Sequence, residues 1–362
     1  MDGFARRLLD WYDRHGRHDL PWQDTTGSGR TPYRVWLSEV MLQQTRVTTV
    51  IPYFQRFVAA LPDLAALAAA DEDQVLSLWS GLGYYRRARH LHAAAKLCVT
   101  RHGGRLPLDF EELAALPGIG RSTAGAILAL GSERRHPILD GNVKRLLCRY
   151  HGVEGWPGEG AVAENLWAHA ETHTPSARVA DYTQAVMDLG ATVCTRSQPD
   201  CSHCPERRGC LAFRQGRAAS LPTPRPAREL PLRHAVWIVL RDAGNRVLLE
   251  RRAPQGVWPG LWSLPEAPDA DEARVAAMRL ADLGRQPGDS LPAVRHQFTH
   301  FRLLAAPIEW RGVRERRALA DAPTLRWCTA ADIAGLGVPA PVKRLLLRTE
   351  GNRGEVKTVA AA

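Results

Sequence analysis

Four cysteines stand close together in this 362-residue chain, and they constrain its fold more than any other feature. Successive members are separated by six, two and five residues, and the four are Cys194, Cys201, Cys204 and Cys210. Four thiolates so close in sequence satisfy the ligand count of a structural zinc ion or of an iron–sulfur cluster. Zinc sites usually have two close cysteine pairs around a longer loop, so the single close pair here modestly favours a cluster.

The remaining sequence gives no sign of export or of a membrane. The N-terminus has no apolar signal-peptide core. The sequence has no run of 18 apolar residues, so no membrane-spanning helix is expected. We therefore expect a cytosolic protein without a membrane partner, associated with the nucleoid if the source is bacterial. Thiols stay reduced in that compartment, which argues against disulfides.

The chain carries a formal net charge of +10 at pH 7. Such a balance favours a polyanionic partner, either nucleic acid or an anionic membrane surface. A basic, solvated surface would explain the charge equally well, so charge alone assigns no function.

The first part of the chain is predicted to be mostly helical. Apolar periodicity close to that of an α-helix recurs over residues 1–213. One helix is well signalled, because Thr31 can cap it, Pro32 suits its first turn, and apolar residues continue through Val50. Residues 214–233 are rich in proline and arginine, a composition typical of a linker.

The second part, residues 234–350, has a mixed pattern. A β-hairpin is predicted over residues 235–250, a helix over 272–283 and a strand over 295–310. These elements predict an α+β domain. The tail, residues 351–362, is expected to be disordered.

A glycine-rich turn lies between two helical stretches at residues 116–125. It has neither the preceding strand nor the spacing of a dinucleotide-binding loop. It is either an ordinary helical turn or a helix-hairpin-helix. In the second case Gly118 and Gly120 would let backbone N–H groups approach a DNA phosphate.

Two carboxylates have settings that suit cleavage of a glycosidic bond, which needs a proton donor and an anion near the sugar cation. Glu39 has Val35 and Gln43 at the i±4 positions, so no salt-bridge partner is available there. Asp140 stands where a helix would begin, and a helix N-terminus is expected to lower its pKa. The ordinary roles, an exposed glutamate and a helix N-cap, remain open for both.

The cysteine spacing, the glycine turn and residues 36–45 together resemble the adenine DNA glycosylase family of the endonuclease III superfamily. The resemblance implies a helix-hairpin-helix glycosylase region in which the four cysteines bind a [4Fe-4S] cluster. It implies that Glu39 protonates adenine and that Asp140 either stabilises the sugar cation or acts as a transient nucleophile. The implied substrate is duplex DNA with adenine opposite 8-oxoguanine or guanine, bound by a monomer.

The same resemblance implies which residues contact DNA. Gln44 would enter the base stack, and Tyr84 would be the wedge beside the oxidised guanine. Around the turn, the implied DNA contacts are Gly118, Gly120, Ser122 and Asn142. Relatives with lyase activity have a lysine at the position of Ser122, and a serine cannot form a Schiff base, so a monofunctional glycosylase is predicted.

The segment 256–266 resembles the start of a Nudix fold. Gly260, Glu266 and Arg274 fit the opening spacing of the Nudix hydrolase motif. Three positions that should supply metal-binding carboxylates have other side chains: Val275, Met278 and Arg279. Without those carboxylates Mg²⁺ cannot be held, so the fold is expected without hydrolysis of pyrophosphates.

What remains for the second domain is recognition of the damaged base. Phe298, Thr299 and His300 resemble the family's loop that senses oxidised guanine, where a serine is common at the position of Thr299. Both residues have a hydroxyl for hydrogen bonding. A simple edge strand is the alternative for this segment.

Three other functions compete with this interpretation. An endonuclease III-like glycosylase and abasic-site lyase is opposed by Ser122, by Gln43 and Gln44, and by the second domain. A non-catalytic iron–sulfur protein that binds DNA is opposed by the two carboxylates. A Nudix hydrolase is opposed by the missing metal ligands.

Overall fold

The computed structural model describes residues 1–23, 31–226, 229–316 and 322–348. These residues form two compact units. The first comprises residues 1–70 and 87–227, and the second comprises residues 71–86 and 228–362, each within its described part. The tail predicted to be disordered, residues 351–362, lies outside the described residues.

The first unit is helical. Its helices are α1 (Gly3–His15), α2 (Pro32–Leu42), α3 (Val47–Ala60), α4 (Leu64–Ala69), α6 (Arg86–Arg101), α7 (Phe110–Ala114), α8 (Arg121–Ser132), α9 (Gly141–His151), α10 (Gly160–His173), α11 (Val179–Asp188) and α12 (Leu211–Arg214), and a π-helical turn spans Leu189–Val193. Apolar side chains of α1, α8, α9 and α11 share one core, in which Leu8, Leu147 and Val186 are almost fully buried. The helical prediction for this region is therefore confirmed.

The helix predicted from Thr31 through Val50 is shorter than expected. Thr31 caps it as predicted, since its Oγ1 accepts a hydrogen bond from the N–H of Arg34 at 3.3 Å. The helix ends at Leu42, however, and a turn separates it from α3. The sequence has no glycine or proline at the break, so local signals could not reveal it.

A short segment groups differently from the sequence-based division. Residues 71–86, which contain α5 (Glu72–Leu78), belong to the second unit. The hydroxyl of Tyr85 donates to the carbonyl of Val338 at 3.1 Å, and Lys343 donates to Ser80 at 3.4 Å. Contacts between residues more than 250 positions apart leave no local pattern in the sequence.

The second unit is built on a mixed sheet. Its strands are β1 (Leu232–Asp242), β2 (Val247–Arg251), β3 (Trp262–Ser263), β4 (Glu266–Ala267), β5 (Ala281–Asp282), β6 (Asp289–Ser290), β7 (Val294–Gln297), β8 (Arg302–Glu315) and β9 (Leu325–Cys328). Strands β1 and β8 pair in parallel along most of their length, and β2 pairs antiparallel with β1 as the predicted hairpin requires.

Helices cover both faces of this sheet. They are α13 (Ala270–Leu280), α14 (Ala330–Gly335) and α15 (Ala340–Arg348). Alternate side chains of β1 point into two separate cores, Trp237 into one and Ile238 into the other, as the two-residue period of a strand dictates. In the described part of the chain, every helix is too short or too polar to span a membrane.

Candidate active site

A large cavity opens in the first unit, with a volume of about 1010 Å³. Side chains from α2, the α2–α3 turn, α8, α9 and α11 line it. Both predicted catalytic carboxylates, Glu39 and Asp140, face this cavity. Three residues predicted to contact DNA line it as well: Gln44, Ser122 and Asn142. The fold thus brings together residues that lie about a hundred positions apart in sequence.

Glu39 lies on α2, a helix whose other side chains are largely buried. Trp36, Leu37 and Val40 point into the protein and fix the helix, which leaves Glu39 as the acidic group that α2 turns toward the cavity. Removal from water raises the pKa of Glu39 to about 8, and the negative charge of Asp140 adds to that rise. At neutral pH Glu39 therefore retains a proton that it can donate.

Asp140 is the N-cap of α9, as its position in the sequence suggested. Its Oδ1 accepts hydrogen bonds from the backbone N–H groups of Asn142, at 3.0 Å, and Val143, at 2.8 Å. The cap fixes the carboxylate at the edge of the cavity while the helix N-terminus favours its charged form.

The expected lowering of the pKa of Asp140 is wrong. Burial raises its pKa, and this effect exceeds the opposing influence of the backbone hydrogen bonds and of the nearby charges of Arg145 and Lys144. The cap was visible in the sequence, whereas the depth of burial was not. Because its charge acts on Glu39, Asp140 is the member of the pair that ionises first.

Two further side chains, those of Ser122 and Arg145, make hydrogen bonds around the start of α9. The hydroxyl of Ser122 accepts a hydrogen bond from the N–H of Leu139 at 2.9 Å, directly before Asp140. Arg145 donates to the side chain of Asn142 at 2.9 Å and to the carbonyl of Cys194 at 2.8 Å. Sequence reasoning missed Arg145, although its spacing of three residues from Asn142 places both on one side of the helix.

Part of the cavity lining belongs to a polar network around Asp188, which could not be predicted from the sequence. Arg17 donates to Oδ1 of the buried Asp188 through Nη2 at 2.6 Å and through Nε at 2.9 Å. Gln184 donates to the same oxygen at 2.7 Å. Arg17 and Gln184 line the cavity, so Asp188 fixes two polar groups there. Arg17 and Asp188 are 171 positions apart, which explains why no motif revealed them.

The glycine-rich turn has the geometry of a helix-hairpin-helix. It joins α7 to α8, and the N–H of Ile119 donates to the carbonyl of Leu116 at 3.1 Å. Gly118 has φ +79°, and a β-carbon there would lie 2.8 Å from Cβ of His90, so only glycine fits. Gly120 is the N-cap of α8, and among the described residues beyond its own chain neighbours and helix, none comes within 4 Å of the position of its missing β-carbon. The N-terminus of α8 is therefore accessible to an anion.

The four clustered cysteines line one small cavity between α9, the π-helical turn and α12. None of them is in a disulfide. Nη1 of the buried Arg149 lies 3.3 Å from Sγ of Cys194, which places a positive charge where a thiolate would need one. Among the described residues, no group of three or more histidine, cysteine or acidic side chains is arranged to hold a single metal ion.

The predicted recognition segment lies in the second unit. The strand structure predicted over residues 295–310 is present, but as two strands, β7 and β8, which form a tight hairpin there. The N–H of Phe298 donates to the carbonyl of Phe301 at 2.8 Å, which leaves Thr299 and His300 exposed at the tip. This arrangement presents a hydroxyl and an imidazole to a ligand.

Aromatic side chains pack around the base of this hairpin tip. Phe298 stacks on Phe301 at 4.4 Å between ring centroids, and it contacts the ring of Trp258 at 5.3 Å. Trp258 has a positive φ of 52°, an uncommon conformation that a tryptophan adopts only where surrounding structure enforces it. Sequence reasoning placed Trp258 in the Nudix-like segment and missed its contact with the recognition hairpin.

Tyr84 also lies in the second unit, two residues before the start of α6. Its backbone has φ 48°, and 52% of its surface is exposed. A large aromatic side chain held outward by a strained backbone is compatible with the predicted role of a wedge.

The Nudix-like segment lacks the arrangement of a hydrolase site. Glu266, the one carboxylate that fits the motif, is paired with Arg233 at 3.0 Å and with Arg252. Val275 and Met278, at two of the positions where metal ligands are missing, are exposed on α13.

Two family models match the chain. Residues 37–171 match the HhH-GPD superfamily of base excision DNA repair proteins, and residues 236–348 match the NUDIX domain. Among solved structures, a thermostable thymine-DNA glycosylase has a TM-score of 0.53 at 25% identity, covering 59% of this chain and 95% of its own. These matches confirm the predicted combination of folds.

Similar sequences extend over nearly the whole chain. The adenine DNA glycosylase of Buchnera aphidicola (subspecies Acyrthosiphon pisum) is 34% identical over 343 residues, which cover 95% of this chain and 96% of that protein. The adenine DNA glycosylase of Rattus norvegicus is 34% identical over 413 residues, covering 99% of this chain and 80% of its own. With both carboxylates, the hairpin and the second fold in place, this chain belongs to the adenine DNA glycosylase family.

Proposed function

We propose that this protein hydrolyses the N-glycosidic bond of adenine mispaired with 8-oxoguanine or guanine in duplex DNA. The observation that carries the proposal is the pairing of Glu39, which holds a proton, with Asp140, which ionises first, on one cavity. Two carboxyl groups with separate protonation states are what acid-assisted departure of a base requires. The relatives named above support adenine as that base.

The chemistry follows from the two carboxyl groups. Glu39 donates its proton to a ring nitrogen of adenine, so the bond from C1′ to N9 breaks and its electron pair leaves with the base. The anionic carboxylate of Asp140 stabilises the positive charge that develops on the sugar. A water molecule then bonds to C1′ and loses a proton, and an abasic site remains. Because one chain supplies both carboxyl groups, we propose that a monomer suffices.

Ser122 supports hydrolysis over lyase chemistry. The lyases that this chain resembles have a lysine at the position of Ser122. A lysine amine can form an imine with the opened sugar, and a serine hydroxyl cannot. In this protein the hydroxyl instead accepts the hydrogen bond from Leu139, next to Asp140. The residue therefore supports the geometry of the site without acting as a nucleophile.

The cavity lined by the four cysteines is the proposed binding site of a cofactor. We propose that Cys194, Cys201, Cys204 and Cys210 bind a [4Fe-4S] cluster. All four line one cavity, and the buried Arg149, 3.3 Å from Sγ of Cys194, would balance the charge of a metal-bound thiolate there. When bound, the cluster would crosslink the loop through metal–thiolate bonds.

The proposed function is tested on a duplex with adenine opposite 8-oxoguanine. We expect free adenine to appear in solution while the strand stays intact until alkali cleaves the abasic site. If the strand breaks without alkali, the endonuclease III-like lyase is favoured instead. If no adenine is released, the non-catalytic DNA-binding protein is favoured.

The pH dependence of adenine release follows from the raised pKa of Glu39. Below a pH of about 8 the folded enzyme has the protonated acid, and above it the rate should fall by about tenfold per pH unit. On the acid side the rate should fall as Asp140 takes up a proton. Single-turnover rates at constant ionic strength between about pH 5 and 10 measure both limbs. A rate that stays level through the alkaline range would show that Glu39 is not the acid.

The exposed hairpin tip is proposed to recognise 8-oxoguanine. Replacing Phe298 and Thr299 together by alanine should lower the preference for 8-oxoguanine over guanine by about tenfold, because a stacking ring and a hydroxyl are lost. The measurement is the ratio of single-turnover rates on the two mispairs. Thr324→Ala, an exposed residue before β9, is the matched control. An unchanged ratio in the double variant would refute the role.

A further inference from the structure

The turn between α2 and α3 holds Gln44 in an unusual backbone conformation. Gln43 has φ −55° and ψ 110°, Gln44 has φ 59°, and the N–H of Thr45 donates to the carbonyl of Leu42 at 3.1 Å. These values describe a type II turn, in which the third position normally requires glycine or asparagine. A glutamine side chain is disfavoured there, so the rest of the structure must enforce the turn.

One side chain contacts both sides of this turn. Arg87, in the first turn of α6, donates through Nη1 to the carbonyl oxygens of Val40 at 2.9 Å, Met41 at 2.8 Å and Gln43 at 2.5 Å. Through Nη2 it donates to Oγ1 of Thr45 at 3.2 Å. The guanidinium therefore links the end of α2 to the residue that follows Gln44.

The chemistry of these contacts suits a rigid clamp. The last carbonyl groups of a helix have no partners within the helix, and they form its negative end. A planar guanidinium can satisfy several of them at once with charge-assisted hydrogen bonds. An ammonium group on a flexible stem has no such fixed geometry. The first carbonyl that Arg87 contacts, that of Val40, directly follows Glu39, and Gln44 within the turn is exposed and lines the cavity.

We propose that Arg87 is a positioning residue for opening the duplex: it holds Gln44 in the strained turn from which that side chain enters the base stack. This inference rests on the proposed function, and it assigns Arg87 no contact with the reacting atoms. Extruding a base costs free energy, and a wedge that is already in position lowers the cost of reaching the extruded state. Loss of the clamp should therefore weaken extrusion more than bond cleavage.

The test compares a duplex in which the target adenine is base-paired with a duplex in which it has no pairing partner. Arg87→Lys should lower the single-turnover rate by about tenfold when adenine is paired with 8-oxoguanine. It should change the rate by less than about threefold when adenine lies opposite an abasic site, where no base pair must be broken. In a Glu39→Gln background, 2-aminopurine beside the target adenine should show a smaller rise in fluorescence with Arg87→Lys.

Controls separate positioning from stability. Arg101→Lys, at the exposed end of the same helix, should leave both rates unchanged. Thr45→Val removes only the Nη2 contact, so it should give a smaller loss in the same direction, and it replaces Arg87→Lys if that variant fails to fold. Equal losses on both substrates, or no loss on either, would overturn the inference. Failure of the wild-type protein to release adenine from any substrate would overturn the proposed function instead.

Discussion

Replacing Glu39 by glutamine is expected to lower the single-turnover rate of adenine release by about a thousandfold. Glutamine has nearly the same shape and fills the same place on α2, but it has no proton that it can transfer to a base. The raised pKa of Glu39 means that the wild-type acid is present at neutral pH, so the whole contribution of the acid is lost in the variant. The measurement is a quenched-flow time course with enzyme in excess over the duplex.

Two controls accompany this variant. Glu159→Gln makes the same chemical change at an exposed position before α10 and should leave the rate unchanged. Binding of the mispaired duplex should also be retained in Glu39→Gln, since the fold and the DNA contacts are intact. A Glu39→Gln rate within a few-fold of the wild type would remove Glu39 from the mechanism.

Replacing Asp140 by asparagine is expected to lower the rate by about a hundredfold, because the sugar cation loses its stabilising negative charge. Asparagine is as good an N-cap as aspartate, so it can still accept the hydrogen bonds of Asn142 and Val143. The variant therefore separates the structural role of the residue from its charge. Single-turnover rates and the thermal midpoint are measured on the same preparation.

The matched control is Asp63→Asn, which changes another N-cap of the first unit, where Asp63 accepts from the N–H of Ala66 at 2.8 Å. Both variants should keep a melting temperature close to that of the wild type, and only Asp140→Asn should lose activity. If Asp140→Asn lost stability and activity in proportion, the residue would be a helix cap and nothing more.

Features that depend on neighbours in sequence could be predicted. The cap at Thr31, the cap at Asp140 and the turn at Gly118 each rest on contacts within a few residues, and the structure has all three. The β1–β2 hairpin was predictable for the same reason, since its turn and its alternating pattern are local.

Features that depend on residues far apart in sequence could not be predicted. The break after Leu42 is stabilised by Arg87, 45 positions later, and the sequence around Gln44 has no turn-forming residue to announce it. The strand predicted over residues 295–310 is present except at its turn, which was missed because Phe298 and Thr299 continue the alternating pattern, while Trp258 packs against the core beside the hairpin. The predicted lowering of the pKa of Asp140 failed likewise, because burial, which raises that pKa, is set by the whole fold.

The central claim is removal of adenine from a mispair with 8-oxoguanine, and one set of duplexes tests it most directly. Wild-type protein in excess is incubated with adenine opposite 8-oxoguanine, adenine opposite guanine, adenine opposite thymine, and cytosine opposite 8-oxoguanine, and the released base is identified by mass. We predict rapid release of adenine from the first duplex, slower release from the second, and no release from the third or fourth. Absence of free adenine from the first duplex, or release of cytosine from the fourth, would contradict the account.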